Sequence, residues 1–303
     1  MQNRFVKYLI VVFFVFALSF CNEKVYESYF YSHDDSPILF MLDVGQGDSF
    51  LFITKEKKFI LIDTGEGMES LSGLSSVFPY SINHIDTVIL THPDIDHIGG
   101  FEYILKRYDV MCLVLTSHTL DTLYDYGVLP SDSIEAFYTK EKDINQSRCF
   151  GDTSNVAFFN FTDGYKYPND TNAGSIVTNI TVDGVGYMFL GDAPSFILND
   201  ISDQYNFRCD VTTAGHHGSK NSVSKKLLAM CKPSVALISV GKDNSYGNPS
   251  KLALDSYSER GIKVLRTDES GTLEIKSDVK KVIVNKPVNK WFIFYNQLLA
   301  LID

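Results

Sequence analysis

The run "ILTHPDIDHIGG", residues 89–100, places His92, Asp94, Asp96 and His97 within six positions directly after an apolar stretch. Imidazole nitrogen and carboxylate oxygen together suit zinc, manganese or iron, and a carboxylate-rich set shifts the balance toward manganese. The ordinary use of an acid at a strand-to-helix turn is a helix cap, a role open to Asp96. Capping needs one acid, not two acids and two imidazoles. Polar groups recur wherever an apolar run ends: Asp43 in "MLDVG", Asp63 in "ILIDTG", Gly191-Asp192 in "FLGD", His216-His217 in "AGHHGSKNS". Loops at one edge of a layered sheet are where such groups converge. Two divalent metal ions, Zn or Mn, held there would generate a nucleophile at neutral pH and clamp a leaving oxygen.

Regular elements must position those loops. "ILFMLDVG", "SFLFIT", "KFILIDTG", "IDTVILTH" and "VMCLVLTS" read as strands by length, apolar content and turn boundaries. "VAFFNF", "SIVTNITV", "VGYMFLGD", "CDVTTAG" and "SVALISVG" continue the series, with a hairpin turn at Asp183-Gly184. Helical patterning appears in "IGGFEYILKRYD", "APSFILNDISDQY", "SVSKKLLAMCKP" and "PSKLALDSYSERG". Residues 117–153 are weakly patterned and read as a small helical or loop excursion. "IKVLRTDESGTLEIK" reads as a last hairpin turning at Glu269-Ser270-Gly271. Strands first, then strands alternating with helices, predict an α/β layered fold. No repeat and no Pro/Gly-rich linker divides the chain, so one domain is expected.

The chain has 303 residues, 45% of them hydrophobic and 21% charged, with a formal charge of −10. That is enough chain for a full core. The charge argues against a protein held to nucleic acid by a broad basic face, though not against a local basic cleft. Arg4 and Lys7 precede a thirteen-residue apolar run that ends at Phe20, followed by Cys21. Such a run is short for a membrane span and fits an export signal. "LSFC" is similar to a bacterial lipobox, departing from it at Phe20. Lipidation of Cys21, simple cleavage and an uncleaved anchor all stay open, and each places the domain outside the cytoplasm. Cys112, Cys149, Cys209 and Cys231 have no CxxC spacing. Cys112 and Cys209 read as small buried residues, and any pairing is unreadable. His33, His84 and His118 read as surface residues.

The motifs together resemble a known family. "THPDIDHIGG" looks like the HxHxDH motif of the metallo-β-lactamase fold, with Asp94 in place of the second His. With "MLDVGQGDSFLF", "ILIDTG", "FLGD", "AGHHGSKNS", "LISVGKDNSYGNPS" and "RTDESGTLEI", the chain resembles the hydrolase domain of ComEC-type DNA-uptake proteins and their free-standing relatives, over about Ile38 to Lys276. The resemblance implies an αβ/βα sandwich of two mixed sheets flanked by helices, with two metals at one edge. It implies His92 and Asp94 on one ion, Asp96 and His97 on the other, and Asp192 bridging. One of His216 and His217 completes a shell, while the other faces substrate or stands behind the ligands. Asp63 matches an acid that steadies the metal loop; Asp43 is a candidate for the same role, a plain turn role staying open for Asp43 and Asp48. Gly45 and Gly47 match a tight turn near the site.

Two departures stand out. No His lies between residues 150 and 190, where the fold usually supplies one, and Asn172 and Ser175 stand there as candidates to contact metal or substrate. Asn248 occupies a position where relatives carry His. Asp96, His217 and Asn248 are the expected catalytic groups. Ser219 and Lys220 are candidates for substrate contact, with a solvated helix start open for Lys220. The domain expectation is 1–21 signal or lipoprotein anchor, 22–37 spacer, 38–277 hydrolase domain, and 278–303 an extension packed on it through Trp291. The implied function is an exported hydrolase of phosphate esters, most simply a nuclease acting on DNA through a metal-bridging hydroxide. A small, lipid- or glycan-linked phosphodiester is the other enzyme reading, and a degenerate surface-binding lipoprotein the non-enzyme one. A β-lactamase is disfavoured by Asp94. The expected partners are the substrate and, through the N-terminal segment or a lipid, a membrane; no protein partner is inferred.

Overall fold

The computed structural model describes residues 36–128, 134–138, 146–152, 154–159, 170–277 and 282–285, with Ala17, Cys21, Lys24 and Glu27. The chain divides into two compact units. The larger, residues 36–74 and 83–286, holds both sheets and the whole candidate site. The remainder of the N-terminal run and residues 286–303, with Trp291, lie outside the described residues. Among those described, no helix is long and apolar enough to cross a membrane.

Strands β1 (Ile38–Met41), β2 (Phe50–Ile53) and β3 (Phe59–Ile62) pair antiparallel; β3, β4 (His84–Ile89), β5 (Asp109–Leu115) and β6 (Glu135–Tyr138) then run parallel. The second sheet repeats that pattern. Strands β7 (Ser154–Phe159), β8 (Val177–Val182) and β9 (Val185–Phe189) are antiparallel, and β9, β10 (Val211–Thr213), β11 (Val235–Ile238) and β12 (Lys263–Arg266) are parallel. β13 (Leu273–Ser277) returns to the first sheet beside β1, and β14 (Val282–Asn285) adds outside it. The result is eight strands facing six, an α/β sandwich.

The strands are near-continuous apolar runs because both of their faces are covered. In β11, Val235 and Leu237 enter the core between the sheets, while Ala236 and Ile238 pack with Ala253 and Tyr257 of the helix Lys251–Ser258. Alternation at period two thus feeds two separate apolar layers. Between the sheets, Phe50 meets Phe189 at 5.7 Å and Phe52 meets Tyr187 edge-on at 4.9 Å between ring centroids. Outside the second sheet, Ile197, Leu198 and Ile201 of the helix Ser195–Gln204 join Leu227 of Lys225–Cys231 against Met188 and Leu190. Side-chain oxygens of Ser224 and Ser250 cap these outer helices.

Several sequence expectations are corrected. The last hairpin does not form: β12 stays in the six-stranded sheet, and a short turn at Thr267–Ser270 carries the chain across to β13 in the other. Two adjacent apolar runs carry no mark of which sheet each joins. Residues 117–153 hold more order than expected: a helix, Ser117–Asp125, capped by Thr116, the edge strand β6, and a helix, Gln146–Phe150. A helix at Glu69–Val77 was hidden by its Ser and Gly content. Cys112 and Cys209 are not free thiols but form disulfides, Cys112–Cys149 and Cys209–Cys231. The Asp183-Gly184 hairpin does form, both residues at positive φ.

Phe52→Ala should lower the free energy of unfolding by about 3–5 kcal/mol, because it empties a fully buried aromatic site between the sheets. Ile283→Ala, on a 41% exposed side chain, should cost within about 0.5 kcal/mol. Denaturant midpoints at unchanged slope check both.

Candidate metal centre

Every loop of the site follows a strand of one sheet or the other at a common edge. β3 ends at Asp63, whose backbone is left-handed (φ 56°) and whose N–H donates to the Ile89 carbonyl at 2.9 Å, tying it to the end of β4. Asp tolerates that conformation better than most residues. Its carboxylate accepts from Thr91 N–H (2.8 Å), from the Thr91 hydroxyl (2.7 Å) and from His97 Nδ1 (2.8 Å). Because the Thr91 proton is used on Asp63, the Thr91 oxygen accepts from His92 Nδ1 at 3.1 Å. His217 Nδ1 donates to the Ser239 carbonyl at 3.0 Å. All three rings therefore engage a partner through Nδ1 and turn Nε2 inward, the side from which a metal would be bound.

Those inward atoms converge. His92 and His97 rings stand 4.1 Å apart by centroid, and His97 and His217 5.3 Å. Asp192 lies between them: Oδ1 is 3.2 Å from His97 Nε2, while Oδ2 is 3.7 Å from His92 Nε2 and 3.5 Å from His216 Nε2. Asp94 Oδ2 sits 3.7 Å from His92 Nε2, and Asp96 Oδ2 sits 3.1 Å from His217 Nε2. Two overlapping candidate ligand groups result, His92 with His97 and Asp192, and Asp48 with His97 and His217. His92 Nε2, His97 Nε2 and Asp192 Oδ1 are buried with no hydrogen-bond partner. Buried polar atoms are normally satisfied, so three orphans facing one another fit a cation between them.

Each sequence candidate has a place. His92, Asp94, Asp96, His97, Asp192, His216 and His217 are brought together, and Asp63 braces them. His216 and His217 both adopt left-handed backbone and end up on different sides of Asp192, His216 toward His92 and His217 toward Asp96. Asn172 Nδ2 lies 3.3 Å from His216 Nδ1. The other candidates make contacts of their own. Asp43 is exposed and accepts from Gly45 N–H, so it belongs to the turn. Ser175 is buried with its hydroxyl accepting from Asp192 N–H, which positions that loop. Asn248 donates from its amide to the His216 carbonyl at 3.3 Å, bracing the loop's backbone. Ser219 caps the following turn, and Lys220 is exposed.

Asp48 was passed over as a turn residue. It is 3% exposed, and its Oδ1 lies 3.2 Å from His217 Nδ1. Its only signal in the sequence was its place in "GQGDS". Gly47 beside it sits at φ 124°, and a Cβ there would lie 2.2 Å from the Asp96 carbonyl oxygen. Only glycine allows that approach.

The charges are strongly coupled. Burial pushes the Asp192 carboxyl up, but His97, His217 and His92 outweigh it and hold it far below the usual range. Burial likewise opposes ionised Asp96, yet the His217 bond and the His97 charge hold it at about 2. Burial opposes charge on His217, yet Asp192 and Asp48 push it up to about 10; His97 is raised in the same way by Asp192 and Asp63. Asp48 is raised, chiefly by burial.

Residues 42–242 match the metallo-β-lactamase superfamily, and the chain belongs to that superfamily. The Zn(2+)-bound PqqB of Methylobacterium extorquens shares the fold at a TM-score of 0.52 and 13% identity, over 77% of this chain and 88% of that one. The relatives similar to this chain include competence proteins. The chain is 29% identical to ComE operon protein 3 of Bacillus subtilis over 78% of its length, and 28% identical to competence protein ComA of Neisseria gonorrhoeae over 77%. These alignments cover 32% and 31% of the relatives, so the chain spans about a third of their length.

Asp63→Ala should weaken metal binding by about 10- to 100-fold, because it frees the His97 and Thr91 contacts together; titration calorimetry reads this. In metal-free protein the stabilising contributions of His217 and Asp96 should both be complete only between about pH 4 and 6.5. The His217 contribution is complete below its ordinary value of 6.5 and is lost as pH rises through about 10. The Asp96 contribution is present above 3.8 and is lost as pH falls through about 2. Melting temperatures in EDTA should therefore fall on both sides of that window, and added metal should flatten the alkaline limb. An alkaline limb unchanged by metal would contradict the assignment.

Proposed function

We propose that the chain is an exported, metal-dependent hydrolase of phosphate esters that acts on DNA. The observation that carries this reading is the trio of buried, inward-facing atoms without a regular hydrogen bond, His92 Nε2, His97 Nε2 and Asp192 Oδ1, with both rings fixed from behind through Nδ1. His92, Asp94 and His216 would hold one divalent ion; Asp96, His97 and His217 would hold a second, with Asp192 offering one oxygen to each side. Bound there, such ions supply ionised water at neutral pH and charge that neutralises a phosphoryl group in transfer. The protein's own part is orientation. Asp63 and Thr91 prevent the ring rotation that would lose the lone pairs, and Ser175 holds Asp192 by its backbone. His216, with a side chain 34% exposed, is the imidazole open to an incoming phosphate. The carboxylate-rich set favours manganese over zinc.

DNA as substrate is supported by the kinship with competence proteins. Export is supported by the two disulfides, which persist in oxidising compartments. One observation favours the smaller substrate instead. A cavity of about 500 Å³, lined by Val44, Gln46, Glu66, Met68, Glu69 and Tyr103 among others, opens beside the loop that carries Asp48. Its two carboxylates would repel a phosphate backbone and would suit a positively charged headgroup on a phosphodiester.

Purified full-length chain should cleave linear DNA with manganese, lose activity in EDTA, and lose it in an Asp96→Ala/His97→Ala double variant. Metal-dependent hydrolysis of a choline-type phosphodiester with no DNA cleavage would shift the reading to the small substrate. Absence of bound metal in the wild-type protein would refute both enzyme readings.

A further inference from the structure

We propose that Asp48 is a positioning residue for His217, supplying to that imidazole the negative charge that Asp63 supplies to His97. This rests on the reading of His217 as a metal ligand. The two histidines come from different halves of the sandwich, and each meets a carboxylate from the first half on its Nδ1 side: Asp63 at 2.8 Å from His97, Asp48 at 3.2 Å from His217. Their Nε2 atoms face the opposite way, to Asp192 and Asp96. A carboxylate behind a ligating imidazole raises its basicity and fixes its ring, so the Nδ1 side is where such a group acts.

Asp48 is held for this task by its backbone. Its N–H donates to the Asp96 carbonyl at 3.2 Å and its carbonyl accepts from Gly65 N–H at 2.9 Å. The neighbouring Gly47 carbonyl accepts from the Ser239 hydroxyl at 2.7 Å. Residue 48 is therefore stitched to the metal loop, to the loop after β3 and to the end of β11. The carboxylate is 3% exposed, and its ion pair is with His217. A buried carboxylate is costly unless it stabilises a cation, and the imidazole it contacts is His217, with His97 also close by. His217 Nδ1 also reaches the Ser239 carbonyl. That neutral acceptor orients the ring but cannot polarise it as a carboxylate does, so the two partners divide the work.

The division makes Asp48→Asn the decisive variant, since it keeps the shape and an acceptor while removing the charge. Metal-free full-length protein is titrated with cobalt(II), followed by calorimetry and visible absorption, for wild type, Asp48→Asn and Asp48→Ala. Wild type should take two ions. Both variants should keep the first and bind the second about 10- to 100-fold more weakly, with the molar absorbance of the filled site unchanged and the Asp48→Asn melting temperature near wild type. Wild-type affinity for both ions in Asp48→Asn would overturn the proposal, because the Ser239 carbonyl would then suffice. A changed molar absorbance would also overturn it, because Asp48 would then be a ligand itself. Failure of the wild type to bind cobalt would instead strike the metal reading on which this one stands.

Discussion

A single carboxylate governs the arrangement. Asp63 holds the Thr91 amide, the Thr91 hydroxyl and His97 Nδ1 at once, from a backbone conformation that few residues other than glycine adopt readily. Through the threonine its influence passes on to His92. Two imidazoles are thereby held in orientation through Nδ1. The ends of β3 and β4 must be neighbours for this, which parallel pairing of those strands guarantees. The remaining ligands are then brought to a fixed target.

That target is electrostatically expensive. Asp48, Asp192, His92, His97 and His217 are all nearly excluded from water. Burying charges costs several kcal/mol each unless partners compensate. Compensation here is mutual, which explains why Asp96 and Asp192 are held low while His97 and His217 are held high. The apolar layers bear the rest of the load. Aromatic contacts such as Phe52 with Tyr187 lie between the sheets, and helices seal their outer faces. The polar edge is stable because it is a small part of a well-covered sandwich.

Much of this was legible in the chain because it is local. The His92–His97 run, Asp63 and the Gly191-Asp192 turn each follow a strand-like stretch, and a strand's end is visible from its neighbours in sequence. The alternation that marks β11 is likewise a property of four consecutive residues. What stayed hidden is relational. Nothing near Leu265 or Ile275 says that one joins the six-stranded sheet and the other the eight-stranded one. Asp48 looked like any acid in a glycine turn, because its partner lies 169 positions away and is brought back only by the fold. Ser175 and Asn248 also make contacts that residue type alone does not announce: their side chains bond the backbone of Asp192 and His216.

The two disulfides do different work. Cys209, ahead of β10, joins the helix ending at Cys231, both in the second half of the sandwich. Cys112 of β5 joins the helix Gln146–Phe150, which packs on β4 of one sheet and on β7 of the other. That bond pins the point where the chain leaves the first sheet for the second, among the buried residues both sheets share. At the polar edge the halves meet instead through the Gly47–Ser239 and Asp48–His217 contacts and the ligand set itself. A metal drawn from the site would loosen that edge and leave the crosslinked seam intact.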